Sequence, residues 1–247
     1  MIVANWKMNP PSFKEARALF DATKKAADTA RSVSVVVAPP SIYVRELAAR
    51  YKGRRLSFGI QDASADKGGP HTGDISLQQA KDGKVTYVLV GHAERRALGE
   101  TNEATRMKVA AALAQKMTPV LCVGERERGG NGEHFAFVKD QLHAGFADVA
   151  ASALGRVIVA YEPIWAIGAV SAMEPRQMHE MVIFIRKSIV DAYGERGHAV
   201  KILYGGAVGP ENAPAMLTEG EVDGLLVGRV STDVAAFKAL LAAIQNI

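Results

Sequence analysis

The stretch VTYVLVGHAERRALGETNEATRMKVAAALAQKMTPVLCVG, residues 85–124, has the pattern of a strand, a helix and a second strand. Its ends, 85–91 and 118–124, are apolar runs rich in β-branched residues, and they lack the alternation of a sheet with one wet face. The segment between them, 101–117, is rich in Ala, Lys and Glu, and Thr101 is a suitable N-cap. Parallel strands joined by a crossover helix have this pattern.

The same pattern continues through the chain in both directions. Eight strand-like runs occupy residues 2–6, 33–38, 56–60, 85–91, 118–124, 156–161, 199–205 and 221–228. The clearest helical stretches are 12–30, 101–117, 175–194 and 231–245, with Pro175 suited to a first helical position and Ser231 to an N-cap. The 247 residues divide into eight units of about 31, the length of one strand plus one helix. We therefore predict an α/β protein with a single domain, 1–247, folded as a closed (β/α)8 barrel with an outer ring of helices.

A doubly wound open sheet uses the same alternation of strands and helices and is the structural alternative. Such a sheet often carries a glycine-rich dinucleotide fingerprint after its first strand, whereas that position here reads NWKMNPP. The sequence therefore favours the barrel.

Composition and charge exclude several classes of protein. With 48% apolar and 23% charged residues, the chain can bury a globular core, which argues against disorder. The net charge is +4, and the basic residues are scattered, so we predict an anionic small molecule rather than a nucleic acid as partner. No uninterrupted apolar run approaches the ~18 residues that cross a bilayer, so no membrane partner is predicted. A single cysteine, Cys122, and an N-terminus without signal-peptide features favour the cytoplasm.

Polar side chains follow several predicted strands at the point where each strand ends. Asn5 and Lys7 follow the first strand, His92 and Glu94 the fourth, and Glu162 the sixth. Taken singly, Lys7 fits a solvated lysine, His92 a structural histidine and Glu162 the partner of an arginine. In this class of barrel the active site lies at the C-terminal ends of the strands, and burying these groups together is costly without a purpose. Their joint placement therefore predicts a functional site.

The motifs that are missing narrow the chemistry. The sequence has no HExxH, no cysteine pair, no GxSxG and no P-loop, so we predict neither a metal nor a cofactor. Proton transfer is the chemistry that remains for the predicted site. Glycines after the seventh and eighth strands fit a phosphate held by backbone N–H groups, although Gly-Gly alone also fits an ordinary turn.

These residues resemble the signatures of one family, the triosephosphate isomerases. The matching stretches, in the family's order and at about its spacing, are ANWKMN at 4–9, GHAERR at 91–96, TPVLCVGE at 118–125, AYEPIWAIG at 160–168 and YGGAV at 204–208. The resemblance covers the whole chain. It implies a TIM barrel that interconverts dihydroxyacetone phosphate and D-glyceraldehyde 3-phosphate through an enediolate, without a cofactor, in glycolysis and gluconeogenesis.

The resemblance implies a role for each catalytic candidate. Glu162 would move a proton between the two carbons, and His92 would move protons between the two oxygens. Lys7 would stabilise the charge of the enediolate, with Asn5 in the same pocket. The family is a known example of a neutral histidine at a helix N-terminus, and the stretch after His92 can form such a helix.

Further positions are assigned by the resemblance alone. Supporting positions are Glu94 and Cys122, and the substrate phosphate would be bound by Gly168, Ala207, Gly228 and Arg229. The mobile lid would consist of Pro163, Ile164, Trp165, Ala166, Ile167, Gly168, Ala169, Val170, Ser171, Ala172 and Met173. Tyr204 and the Trp165–Glu125 pair match positions that latch the closed and the open lid. The irregular loop 62–75 matches the family's dimer loop, with Gln61 and Thr72 at its contacts, which implies a homodimer.

The chain departs from the family at several positions. Alanine replaces serine at Ala93 and Ala207, Arg229 replaces a phosphate-loop glycine, and the lid reads GAVS where GTGK is common. Losing the lid bond between Ala207 and Val170 costs about 0.5–1.5 kcal/mol, roughly tenfold in rate or less. Two alternatives stay open: an isomerase of a slightly larger, four-carbon ketose phosphate, and a non-catalytic barrel that serves as a scaffold.

Overall fold

The structure, a computed structural model, describes residues 1–167 and 173–247. In these ranges eight parallel strands form a closed barrel in the order of the chain. The strands are β1 (Ile2–Asn5), β2 (Val35–Ala38), β3 (Leu56–Ile60), β4 (Tyr87–Val90), β5 (Thr118–Val123), β6 (Ile158–Tyr161), β7 (Lys201–Tyr204) and β8 (Gly224–Val227). Because β1 pairs with both β2 and β8, the predicted barrel is confirmed and the open sheet is wrong.

Helices surround the barrel. They are α1 (Phe13–Thr29), α2 (Ser41–Arg50), α3 (Leu77–Asp82), α4 (Ala93–Ala97), α5 (Asn102–Ala114), α6 (Glu133–Phe146), α7 (Pro175–Tyr193), α8 (Ala213–Thr218) and α9 (Val234–Ile244), with short 3₁₀ segments at Ala151–Arg156, Ile164–Ala166, Gly194–Ala199 and Arg229–Thr232. The four helices marked in the sequence are present, each shorter by one or more residues at its ends.

The predicted helix starts are right in two cases and wrong in one. Thr101 accepts a hydrogen bond from the Ala104 N–H at 3.1 Å, and Pro175 is the first residue of α7. Ser231 is not an N-cap. The chain makes a 3₁₀ turn after β8 before α9 begins, so the carboxylate of Asp233 caps α9 instead.

Two apolar layers explain why the strands read as continuous apolar runs. Residues that point into the barrel form one cluster: Val3, Val36, Leu89, Val120, Cys122, Ile158, Ala160, Leu203 and Leu226. Their neighbours along each strand point outward and pack against the helices. Both faces of each strand are therefore buried, as expected for a parallel sheet covered on both sides.

The parallel register brings the C-terminal ends of the strands to one rim. Asn5 is level with Ala38 on β2, and Val123 on β5 is level with Tyr161 on β6. The ladder continues one residue further, since the Glu162 N–H donates to the Val123 carbonyl at 2.8 Å. Polar residues that follow the strands are thus held at the same height by the sheet. None of the helices in the described ranges has both the length and the apolarity needed to cross a membrane.

The Cys122 thiol provides a probe of the barrel interior. The side chain is fully buried, and burial, with the nearby Glu162 carboxylate, raises the pKa of the thiol well above its usual range. A buried, protonated thiol is a poor nucleophile. We expect no reaction with Ellman's reagent in the native protein at pH 8 and one thiol per chain in guanidinium chloride. Rapid labelling of folded protein, with unchanged circular dichroism, would contradict this packing.

Candidate active site

One cleft of about 780 Å³ opens at the C-terminal rim of the barrel. Among its lining residues are the four catalytic candidates and three of the predicted phosphate-binding residues: Asn5, Lys7, His92, Glu162, Ala207, Gly228 and Arg229. The volume lies in the range of small-molecule sites. Two predicted supporting residues lie outside this cleft, because Glu94 lines an adjoining cavity of about 300 Å³ and Cys122 lies in the barrel interior.

Lys7 is held in an unusual backbone conformation. Its φ is 53°, in the left-handed region that few residues other than glycine adopt. Both of its backbone polar groups are bound by side chains, since the N–H donates to Asn5 Oδ1 at 3.0 Å and the carbonyl accepts from Gln61 Nε2 at 2.8 Å. Asn5 and Gln61 therefore stabilise the turn that directs the lysine toward the cleft, as strained backbone at a functional site requires.

The ammonium group of Lys7 pairs with Glu94 at the edge of the cleft. The Nζ lies 2.6 Å from Glu94 Oε1, and the two side chains are 31% and 58% exposed. An ion pair with this exposure contributes little to stability and exchanges readily with another anion. Lys7 is therefore available to a negatively charged group that enters the cleft.

Helix α4 begins directly after His92, which is its N-cap. The Glu94 N–H donates to His92 Nδ1 at 3.2 Å, and the Arg95 and Arg96 N–H groups donate to the His92 carbonyl. A nitrogen that accepts a hydrogen bond carries no proton, so these partners assign a neutral imidazole with its proton on Nε2. That N–H is the one that lines the cleft.

Glu162 is only 2% exposed and lies beside this histidine. Its Oε1 is 3.1 Å from His92 Nε2, and its Oε2 accepts from the Ala93 N–H at 2.9 Å. The same helix terminus therefore binds the carboxylate and orients the imidazole. The favourable interaction of an anion with a helix N-terminus adds to both contacts.

Two glycines make room for Glu162. A Cβ on Gly124 would lie 1.9 Å from the Glu162 carbonyl oxygen, and a Cβ on Gly205 would lie 2.9 Å from its Cγ. Each directly follows a neighbouring strand, so the Gly124 side accommodates the backbone of Glu162 and the Gly205 side accommodates its side chain.

Ala93 shows how the chain accommodates one of its departures from the family pattern. Its side chain offers no hydroxyl, but its backbone N–H holds the Glu162 carboxylate. The resting position of the carboxylate thus depends on a helix N–H group, which every residue except proline supplies at this position.

Arg96 is a residue of this region that the sequence analysis missed. Its guanidinium donates to the carbonyls of Gly91 and Cys122 and to Asn102 Oδ1. These contacts join the ends of β4 and β5 under the His92 turn. The signal available in the sequence was an arginine within the GHAERR motif. A sequence shows neither that this arginine is half-buried nor which carbonyls it reaches.

The two ends of the predicted lid are bound to the barrel. Trp165 Nε1 donates to Glu125 at 2.9 Å, and Glu125 also accepts from the Tyr161 hydroxyl at 2.7 Å. At the other end the Met173 N–H donates to the Tyr204 hydroxyl at 3.2 Å. Pro163, Ile164, Trp165, Ala166, Ile167 and Met173 are described, whereas Gly168, Ala169, Val170, Ser171 and Ala172 lie outside the described residues.

Backbone N–H groups line the opposite end of the cleft. Asn212 bonds both the Ala207 carbonyl and the Gly209 N–H, which fixes the loop after β7. Among the described residues, the N–H groups of Ala207, Gly228 and Arg229 have no acceptor. Unpaired N–H groups from two loops can bind an anion.

The part of the chain that the structure describes contains no group of three or more His, Cys, Asp or Glu side chains arranged to hold a metal ion. The groups that the cleft offers are the carboxylate, the imidazole, the ammonium group and the N–H groups named above.

Comparison with known proteins identifies the family. A family model described as triosephosphate isomerase matches residues 1–244. The triosephosphate isomerase of Endomicrobium trichonymphae is 37% identical over 244 residues, which cover 98% of this chain and 97% of that protein. With the closed barrel and the cleft at its rim, these matches lead to one conclusion: the chain belongs to the triosephosphate isomerase family.

Proposed function

We propose that Glu162, His92 and Lys7 interconvert dihydroxyacetone phosphate and D-glyceraldehyde 3-phosphate in this cleft. The observation that carries the proposal is the meeting of these three groups in one cleft whose other end offers unpaired N–H groups. A carboxylate, a neutral imidazole and a cation are what a proton transfer next to a carbonyl requires.

In the first step Glu162 takes a proton from the carbon beside the carbonyl, and the C–H electron pair becomes the double bond of the enediolate. Negative charge develops on the carbonyl oxygen, where the His92 Nε2–H and the Lys7 ammonium stabilise it. His92 then donates its proton to that oxygen and takes one from the neighbouring hydroxyl. Glu162 returns its proton to the neighbouring carbon, so the atoms and charges balance and both side chains regain their starting forms.

The resting contacts define what substrate binding must change. The substrate enters between His92 Nε2 and Glu162 Oε1, now 3.1 Å apart, and the carboxylate exchanges the Ala93 N–H for the substrate carbon. Lys7 exchanges Glu94 for the oxygens of the substrate. Each exchange replaces an existing contact, so the charged groups are positioned before the substrate arrives.

The phosphate end is proposed to use the N–H groups of Ala207, Gly228 and Arg229, with Gly168 from the lid. A closed lid over residues 163–173 would exclude water and protect the enediolate from loss of phosphate. At the two described ends of this segment, Trp165 and Met173 are hydrogen-bonded to the barrel.

A homodimer through loop 62–75 is proposed as the working form. The cavity of about 300 Å³ beside Lys7 is lined by Gln61 and Glu94, and Thr72 lies on the exposed loop. Exposed apolar side chains lie on the segments after β1, β2 and β4, namely Met8, Ile42 and Leu98. Exposed apolar side chains favour an interface. The enzyme is proposed to work in the cytoplasm, in glycolysis and gluconeogenesis.

Replacing the base tests the mechanism. Glu162→Asp withdraws the carboxylate by about 1 Å, and such a displacement lowers a proton-transfer rate on the order of 10²-fold. We expect that loss in kcat, with circular dichroism and Tm near those of the wild type. The matched control is Glu195→Asp, since the Glu195 side chain is 94% exposed far from the cleft. Unchanged turnover in Glu162→Asp would remove Glu162 from its proposed role.

Substrate length separates the two isomerase hypotheses. A coupled assay with purified protein and EDTA should give the larger kcat/KM for D-glyceraldehyde 3-phosphate, and a smaller value for a four-carbon ketose phosphate. A preference for the longer substrate would favour the alternative isomerase, and a lack of turnover with either would favour the scaffold.

Sedimentation tests the dimer. The wild type should sediment at twice the 26.4 kDa chain mass. In the proposed dimer, Thr72 enters the cavity beside the active site of the partner subunit. Thr72→Arg should shift the protein to the monomer and lower activity, because the long arginine side chain does not fit that cavity. Thr218→Arg, on the exposed face of α8, is the matched control and should leave both properties unchanged. A fully active wild-type monomer would refute this interface.

A further inference from the structure

We propose that the Arg229 guanidinium is a second ligand of the substrate phosphate and makes this site select dianionic substrates by charge. This inference rests on the proposed function, which uses only the backbone N–H at this position. It assigns a separate role to the side chain.

The position of Arg229 supports this role. It is the first residue of the 3₁₀ turn Arg229–Thr232, directly after β8, and its exposed side chain lines the cleft. The preceding residue packs against the catalytic lysine, since a Cβ on Gly228 would lie 3.3 Å from Lys7 Cε. Arg229 therefore lies at the mouth of the cleft, next to the loop whose N–H groups have no acceptor.

The charges of the cleft support it further. Its lining side chains with a full positive charge are Lys7 and Arg229, and Lys7 is already paired with Glu94. No carboxylate of the described residues lies within 4.0 Å of the Arg229 guanidinium. A planar guanidinium binds phosphate oxygens through two parallel N–H groups. The guanidinium therefore lies beside the N–H groups that are proposed to bind the phosphate.

One acidic side chain shares this end of the cleft. Glu211 lines it and lies against the loop after β7, with its Oε1 only 2.1 Å from where a Cβ on Gly209 would lie. Its negative charge opposes phosphate binding. A cation on the facing loop offsets that charge, so Arg229 has an electrostatic function that a glycine there could not provide.

Exposure determines what the cation contributes. An exposed charge gains only a modest, salt-dependent interaction with its partner, but it raises the rate of encounter with an anionic substrate. We therefore expect an effect of about two- to fivefold on phosphate affinity. We also expect kcat/KM to fall more steeply with salt than it would without Arg229.

The test compares Arg229→Gln, which removes the charge, with Arg229→Gly, which also removes the Cβ. Calorimetry with inorganic phosphate should give a Kd about two- to fivefold higher for both variants. KM should rise by a similar factor, and the dependence of kcat/KM on sodium chloride between 20 and 500 mM should become shallower. Arg229→Lys should keep the salt dependence and lose part of the affinity, because an ammonium group lacks the two parallel donors.

The control is Arg54→Gln. Arg54 is an exposed arginine between α2 and β3, at the opposite end of the barrel, and its loss should change neither phosphate affinity nor the salt dependence. Equal phosphate affinity in the wild type and Arg229→Gln would overturn the proposal, and so would tighter binding by Arg229→Gly. Because calorimetry needs no turnover, a wild type without isomerase activity would reject the proposed function and still leave the role of Arg229 to the phosphate measurement.

Discussion

The first turn of α4 is the constraint on which the active site depends. Its first two N–H groups bind the Glu162 carboxylate and the His92 Nδ1 atom, and the next two donate to the carbonyl of His92, the N-cap. One short helix therefore fixes the position of the Glu162 carboxylate and the orientation of the imidazole. A change that tilts α4 would disturb both groups together, and Arg96 opposes such a tilt by joining the ends of β4 and β5 beneath it.

Near this helix, hydrogen bonds from side chains stabilise two backbone segments, the turn at Lys7 and the loop after β7. Lys7 keeps a left-handed φ because Asn5 and Gln61 bind its N–H and carbonyl, and the loop after β7 is held by Asn212. Each of these partners comes from the end of a strand or from the loop itself. The barrel thus supplies a rigid rim on which strained, preorganised segments are positioned.

The departures from the family pattern fall into two groups with different consequences. Ala93 lies beside Glu162 and His92, where its backbone N–H supplies the contact to the carboxylate. Arg229 lies at the proposed phosphate end, where it adds a cation to the lining of the cleft. We propose that variation at this end alters how the substrate is held, whereas Glu162, His92 and Lys7 keep their arrangement.

The sequence by itself determined the barrel and predicted which polar side chains meet at its rim. Eight apolar runs spaced about one strand and helix apart predict parallel strands, and parallel strands bring the residues that follow them to one rim. The start of α9 was wrong because Ser231 and Asp233 are both good caps, and only the 3₁₀ turn after β8 selects between them. Only the tertiary structure decided three sets of hydrogen bonds. Arg96 bonds the carbonyls at the ends of β4 and β5, side chains bond the backbone of Lys7, and a backbone N–H bonds the Glu162 carboxylate. These contacts join residues distant in the chain, and their geometry depends on the register and curvature of the closed sheet, which local sequence patterns do not encode.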